Sequence, residues 1–306
     1  MGYWHQRTVR KRVSSSGVGL HSGQPATLTL APAAPDTGVT FVRMDLGLEI
    51  PAHSANVSDT TLSTNLGLGS ARVHTVEHVL SALFGMGIDN CRVEVDGPEI
   101  PILDGSAAPF VALIRQAQIA EQRRGKRFLV MERPVEVRDG EKHAGLEPAD
   151  SLSFEFTVDF KHPLVTDQAF RFAFSDRAYE REVARARTFC FLRDIEQMKA
   201  VGLAKGGSLD NAIVVDEFSI LNPEGLRYPD EFARHKVLDA IGDLSLAGLP
   251  VIGRFRAYKS GHGLNQALVK KVLADPTSHM VVRVSAEKEL EPLRLRLPVL
   301  GSAEAR

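Results

Sequence analysis

The sequence predicts an α+β protein of two domains, each a two-layer strand-and-helix unit of similar topology. Period-two strands and helical-period segments occur in both halves of the chain. Their order recurs: a helix reaching Phe84, Gly85, a strand over 91–95, the turn Asp104-Gly-Ser and a helix are matched by a helix reaching Ala247, Gly248, a strand over 252–258, the turn Ser260-Gly-His-Gly and a helix. Between the two runs lies a charged stretch, Glu121-Gln-Arg-Arg-Gly-Lys-Arg127, which reads as a linker and divides the chain into 1–124 and 125–306.

Along the chain, Thr27-Leu-Thr-Leu30 alternates as a short strand. Val76, Val79, Leu80 and Leu83 fall on one helical face. Cys91-Arg-Val-Glu-Val95 alternates again, and Phe110, Val111, Leu113 and Ile114 mark the next helix. In the second half Leu152-Ser-Phe-Glu-Phe-Thr-Val-Asp-Phe160 is a half-buried strand, and Phe170-Arg-Phe-Ala-Phe174 repeats its pattern and pairs with it. Phe232, Val237, Leu238, Ile241 and Leu244 give a further amphipathic helix.

Composition narrows the class. The 306 residues are 43% hydrophobic and 25% charged, ordinary for a globular protein, and the net charge of -1 gives no reason to expect nucleic acid. Arg7, Arg10, Lys11 and Arg12 are not followed by an apolar run, so they do not open a secretory signal, and no stretch approaches a membrane span. The two cysteines, Cys91 and Cys190, lack CxxC spacing, which fits a reducing compartment and argues against thiolate zinc. A cytoplasmic protein is expected.

Three segments carry candidate chemistry. In His235-Lys-Val-Leu-Asp239 an imidazole and a carboxylate stand four residues apart, one turn along one helix face. These are two of the usual protein ligand types of zinc, and a catalytic zinc takes three protein ligands and leaves a position for water. His74-Thr-Val-Glu-His78 matches H-x-x-E-H, the inverted zinc-protease pattern, in which His74 and His78 ligate and Glu77 is the base. In a different reading only His78 ligates, completing a site with His235 and Asp239, and Glu77 is the base beside it; the plain alternative is a helix with two structural histidines. In Ser260-Gly-His262-Gly263, His262 opens a helix after a strand, where it can protonate a leaving group, hold an oxyanion or simply cap the helix. Asp243, one turn beyond Asp239, favours its imidazolium form if it reaches it.

Gly17-Val-Gly-Leu-His-Ser-Gly23 does not fit G-x-G-x-x-G and has no βαβ context, and Lys205-Gly-Gly-Ser208 lacks the order of a phosphate loop. His5, His53, His143, His162 and His279 have no partners at ligand spacing. A metalloprotease and a non-catalytic nucleotide-sugar-binding module stand as rival readings.

With these segments in hand, the chain resembles the UDP-3-O-acyl-N-acetylglucosamine deacetylases, zinc enzymes of lipid A biosynthesis in Gram-negative bacteria. The resemblance runs from about Arg7 to about Val284. It rests on Gly17–Gly23, His74–His78, Asp96-Gly-Pro-Glu-Ile-Pro-Ile-Leu-Asp-Gly-Ser-Ala-Ala-Pro-Phe110, Ala186-Arg-Thr-Phe189, His235-Lys-Val-Leu-Asp-Ala-Ile-Gly-Asp243 and Ala257-Tyr-Lys-Ser-Gly-His262. It implies a β-α-α-β sandwich of two similar domains and hydrolysis of the acetamide of UDP-3-O-acyl-N-acetylglucosamine, the committed step of that pathway. It implies zinc on His78, His235 and Asp239 and not on His74, with Glu77 as general base, His262 as general acid oriented by Asp243, and Thr188 on the oxyanion. Lys236 contacts substrate, and an insert near 190–220 forms a passage for the acyl chain. Lys236, Lys259 and Phe160 are candidates for the nucleotide end, and Phe189 and Ile195 are further substrate contacts; Leu192, Ile195, Met198, Ala200, Val201 and Leu203, beside Thr188, are apolar at roughly helical spacing, as an acyl passage or a packed helix would be. Iron(II) suits the same ligand set. A monomer is expected. Cys190 departs from the family's pattern, where glycine is expected, and adds a small side chain beside the site.

Overall fold

Alternating burial organises both halves of the computed structural model, which describes residues 4–286 and 289. In Ser153–Val158 every second residue is buried, so that Phe154, Phe156 and Val158 face inward, and Phe170 and Phe172 of Gln168–Ala173 join them. These strands belong to a five-stranded sheet with the order Val135–Asp139, Lys142–Glu147, Arg254–Tyr258, Ser153–Val158, Gln168–Ala173. The first half has a five-stranded sheet in the order Val13–Val18, Pro25–Pro32, Cys91–Val95, Val39–Arg43, Leu48–Pro51. In both sheets the strand that comes last in sequence is central, antiparallel to one neighbour and parallel to the other. The recurrence of elements in the sequence is thus a recurrence of topology.

Six helices are described: α1 Glu77–Gly85, α2 Ala108–Ala117, α3 Asp176–Glu182, α4 Leu192–Ala200, α5 Glu231–Ser245 and α6 His262–Ala274. Helices α1 and α5 each precede the central strand of their half, and α2 and α6 each follow it. α2 packs on the first sheet, α5 and α6 pack on the second, and α1 packs against α5. The order through the molecule is sheet, helices, helices, sheet, around one continuous core in which Leu28, Phe41 and Val93 join Phe156, Phe232 and Phe255. Gly242 sets the closeness of the helix crossing: a Cβ there would lie 2.2 Å from the Glu77 carbonyl oxygen.

The charged stretch expected as a linker is instead part of a 13-residue strand, Ile119–Met131, which pairs with His5–Val9, His279–Val284 and Val251–Ile252 in a third sheet. Its outer residues Glu121, Arg123 and Arg124 are exposed, while Phe128 to Met131 are buried. A strand that passes from the rim into the core carries charge at one end and apolar residues at the other, and composition alone reads the charged end as a break. Each half also carries a small insert between its last hairpin and α1 or α5. In the first it is the three-stranded sheet Val57–Asp59, Asn65–Leu68 and Ala71–Val73; in the second, α4 lies between the parallel strands Phe189–Phe191 and Ile213–Val215.

Candidate metal centre and catalytic cleft

His235 and Asp239 sit on α5 as their spacing predicts, with His235 Nε2 3.3 Å from Asp239 Oδ1. From α1, His78 brings its Nε2 within 3.6 Å of the same oxygen. Candidate ligand atoms of the three residues lie within 4.8 Å of one another, the one such group among the described residues. The His235 Nδ1–H donates to the Ala186 carbonyl at 3.1 Å, which fixes the ring and leaves Nε2 for a metal. All three side chains are buried, and Asp239 Oδ1 has no hydrogen-bond partner among the described residues. A buried carboxylate oxygen between two imidazole nitrogens, with no donor of its own, fits a divalent cation. Burial pushes His235 down to about 3 against the pull of Asp239, so the ring is neutral, the form that ligates. Burial would raise Asp239, but His235 and Lys236 outweigh it and hold the carboxyl well below its usual range.

Glu77, the first residue of α1, accepts the Thr64 N–H at 3.0 Å through Oε2, and its Oε1 lies 3.9 Å from His262 Nε2. Burial raises the Glu77 carboxyl, with His262 and His78 opposing. His262 faces it from the first turn of α6, and its Nδ1 meets Asp243 Oδ2 at 3.0 Å. Burial acts to lower His262, but the Asp243 charge and hydrogen bond prevail and carry it up to about 9. Asp243 is itself fixed by Thr64 Oγ1 at 2.5 Å, by Asn265 Nδ2 at 2.9 Å and, through its carbonyl, by Gln266 Nε2 at 3.2 Å.

Glu77, His78, His235, Asp239 and His262 line one cavity of about 1030 Å³, together with Thr188, Lys236, Lys259, Phe160, Phe189 and Cys190. That is the upper range of small-molecule sites. Lys236 donates to Asp239 Oδ2 at 2.8 Å, and its Nζ sits 5.7 Å from the Phe189 ring centre. Phe160 stands edge-on to Phe189 at 5.4 Å. Lys259 is already paired, with Glu141 at 2.8 Å and Asp159 at 2.9 Å. On the insert, Met198, Val201 and Leu203 line the cavity, whereas Ile195, on the same helix as Met198, does not. His74 is outside both the metal group and the cavity lining, and burial lowers its imidazole.

Several positioning residues carried no sequence signal. Thr64 bridges Glu77 and Asp243, lying 179 positions from the latter. Thr75, just before α1, is a β-branched residue at φ 59°, a strained conformation held by Asn65 Oδ1 on its N–H at 3.1 Å and by Glu99 Oε1 on its hydroxyl at 3.2 Å. Arg187 is buried and binds both oxygens of Glu231, at 3.0 and 3.2 Å, tying the segment that carries Thr188 to the start of α5. Only a buried arginine beside a glutamate would have marked that pair, and burial is not written in a single sequence.

A family profile described as UDP-3-O-acyl N-acetylglycosamine deacetylase matches residues 6–274. The chain belongs to this family. It is 70% identical over 301 residues to the UDP-3-O-acyl-N-acetylglucosamine deacetylase of Anaeromyxobacter sp. (strain Fw109-5), covering 97% of this chain and 99% of that one. The protein of the same description from Anaeromyxobacter dehalogenans (strain 2CP-C) is 69% identical, over 99% of both chains. That of Myxococcus xanthus (strain DK1622) is 56% identical, over 98% of this chain and 96% of that one. The family match spans both repeats and every residue of the cleft described above.

Proposed function

We infer that this chain hydrolyses the acetamide of UDP-3-O-acyl-N-acetylglucosamine, releasing acetate and the free amine, as the committed step of lipid A biosynthesis. The observation that carries the chemistry is the unpartnered Asp239 Oδ1 between two histidines, with a carboxylate and a raised histidine facing each other alongside. His78, His235 and Asp239 would hold zinc, or iron(II) in the cell. A divalent cation there supplies a Lewis acid for the acetamide carbonyl and a water of lowered pKa.

In our assignment the chain's own groups do the rest. Glu77, oriented by the Thr64 N–H, takes the proton of the attacking water. His262, held protonated by Asp243, gives its proton to the departing nitrogen. Thr188 offers its hydroxyl to the oxyanion. Lys236 and Phe189 border the sugar end, Lys259 and Phe160 the nucleotide end, and Met198, Val201 and Leu203 the acyl chain. A tail of about ten carbons offers on the order of 8 kcal/mol gross on burial. Lys259 can serve a phosphate only by sharing its charge with Glu141 and Asp159. Ile195, expected as an acyl contact, has no place in this lining.

The same proposal assigns His78 and Glu77 to a domain spanning 1–124, and His235, Asp239 and His262 to one spanning 125–306. One chain supplies every group, in keeping with a monomer. No described helix is long and apolar enough to cross a membrane. Cys91 and Cys190 are both free thiols, in keeping with a cytoplasmic location.

The test is acetate release from UDP-3-O-acyl-N-acetylglucosamine by purified protein, after chelation and again after one equivalent of zinc. Loss and recovery are expected. No acetate from protein shown to hold one zinc would overturn the assignment.

A further inference from the structure

A second cavity, of about 250 Å³, lies between the two halves. Its floor comes from Leu80, Leu83 and Phe84 of α1, from Ser245 at the end of α5, and from the turn Gly248-Leu249-Pro250. The helical positions are roughly 5–10 Å along α1 and α5 from Glu77 and Asp239, toward the helix ends remote from the cleft. No step of the deacetylation uses this cavity.

Its lining is apolar apart from a polar side whose hydrogen-bonding capacity is unevenly used. Asp36 is bound by Gln6 at 2.7 Å and by Arg124 at 2.6 Å, and Asp89 by Lys126 at 3.1 Å and the Arg7 N–H at 2.8 Å. Both carboxylates are therefore neutralised. Arg127 lines the cavity without a hydrogen bond or ion pair among the described residues, and Arg283 stands directly across the strand pair from it. His53 accepts the Ala55 N–H through Nδ1 at 3.2 Å, which leaves the proton of a neutral ring on Nε2. Arg127 and His53 thus offer a guanidinium and an imidazole N–H, both donors, beside Leu80, Leu83, Leu249 and Pro250.

We propose that this cavity binds a small amphipathic carboxylate, of the size of a medium-chain fatty acid, with its head on Arg127 and His53 and its tail on α1 and the 248–250 turn. A guanidinium with no carboxylate partner among the described residues, beside an imidazole N–H, pairs with an anion and not with a cation. The volume lies just below the roughly 300–1,000 Å³ of drug-sized sites, which restricts the tail to a short one. The occupant would rest on the two helices that carry the metal ligands.

The test uses zinc-loaded full-length protein labelled with ¹⁵N, titrated with sodium octanoate and, separately, with octanol. Octanoate should produce saturable shifts at the Arg127 Nε–H and at the amides of His53, Gly248 and Leu249. Arg127→Gln should weaken them by about tenfold or more, the usual worth of a charged hydrogen bond. Ala52→Leu, which fills the cavity and keeps Arg127, should weaken them as well. Octanol should bind there at least about tenfold more weakly than octanoate, having no charge for the guanidinium. Shifts confined to residues 189–203 would place octanoate in the larger cleft alone and overturn the proposal. Equal midpoints in wild type and both variants, or equal binding of octanol, would overturn it too.

Discussion

Gly242 of α5 lies against the backbone of Glu77 at the start of α1, so close that a Cβ on it would come within 2.2 Å of the Glu77 carbonyl oxygen and 3.0 Å of its Cα. Glu77 is thus held by main-chain contact between the halves, at a glycine one position before Asp243 and three beyond Asp239. Replacing Gly242 with alanine must move α1 and α5 apart, and with them His78 from His235. Gly242→Ala is expected to cost about 1–3 kcal/mol, the range of overpacked cores, and to weaken metal retention. Urea unfolding and bound-metal analysis read both effects, and an unchanged variant would show that the helices do not depend on this crossing.

Glu77→Gln keeps an acceptor for the Thr64 N–H but cannot take a proton. The rate of acetate release should fall by roughly 10²–10⁴, as for other general bases, while metal content stays at the wild-type level. Near-normal turnover would remove Glu77 from the chemistry.

Asp243→Asn withdraws the charge that lifts His262 up to about 9. A histidine raised by a carboxylate stays protonated through neutral pH and loses its proton only as pH passes the raised value. Without that charge, burial is opposed only by the smaller pull of Glu77 and Asp239, and the ring falls. The alkaline limb of the pH–rate profile should therefore move toward lower pH in the variant. A limb that stays in place would assign it to another group.

His74 and His78 give opposite outcomes. His74→Ala should retain the metal, since His74 lies outside the ligand group, and His78→Ala should lose it. Metal content after gel filtration decides. Loss of metal in both would revive the inverted-protease pattern.

Cys190 borders the cleft, where burial and then Asp194 push its thiol up to about 11. The thiolate is the reactive form, so alkylation by iodoacetamide should be slow at neutral pH and rise about tenfold per pH unit up to pH 10. Cys91, more deeply buried and pushed up to about 12, should lag behind it. A plateau below pH 9 would mean that Cys190 is activated and not suppressed.

The placement of the candidate site residues was legible where each lies in a short segment with a clear local geometry: His235 and Asp239 share a helix face, and His262 opens a helix after a glycine. The repeated order of elements was legible for the same reason. What could not be read are relations between distant segments. Thr64 reaches Asp243, Arg187 reaches Glu231 and Gly242 meets Glu77, none with any local periodicity to announce it. The strand Ile119–Met131 was misread because its exposed end is charged and its partners come from both ends of the chain. Ile195 falls outside the cavity lining, because helical spacing gives a face but not which side of α4 meets the cleft.

The shared strand order of the two sheets has a consequence for how the cleft is partitioned. α1 and α5 are corresponding helices of the two repeats, and the turns that open α2 and α6 correspond as well. Two copies of one ancestral half, facing each other across a twofold axis, would present matched groups. In this chain the correspondence is broken side by side: one helix carries Glu77 and His78, the other carries His235, Asp239 and Asp243, and only one of the two turns carries a histidine, His262. Joining the halves in a single polypeptide is what permits that division of labour, because once tethered each copy is free to diverge while its counterpart stays in register.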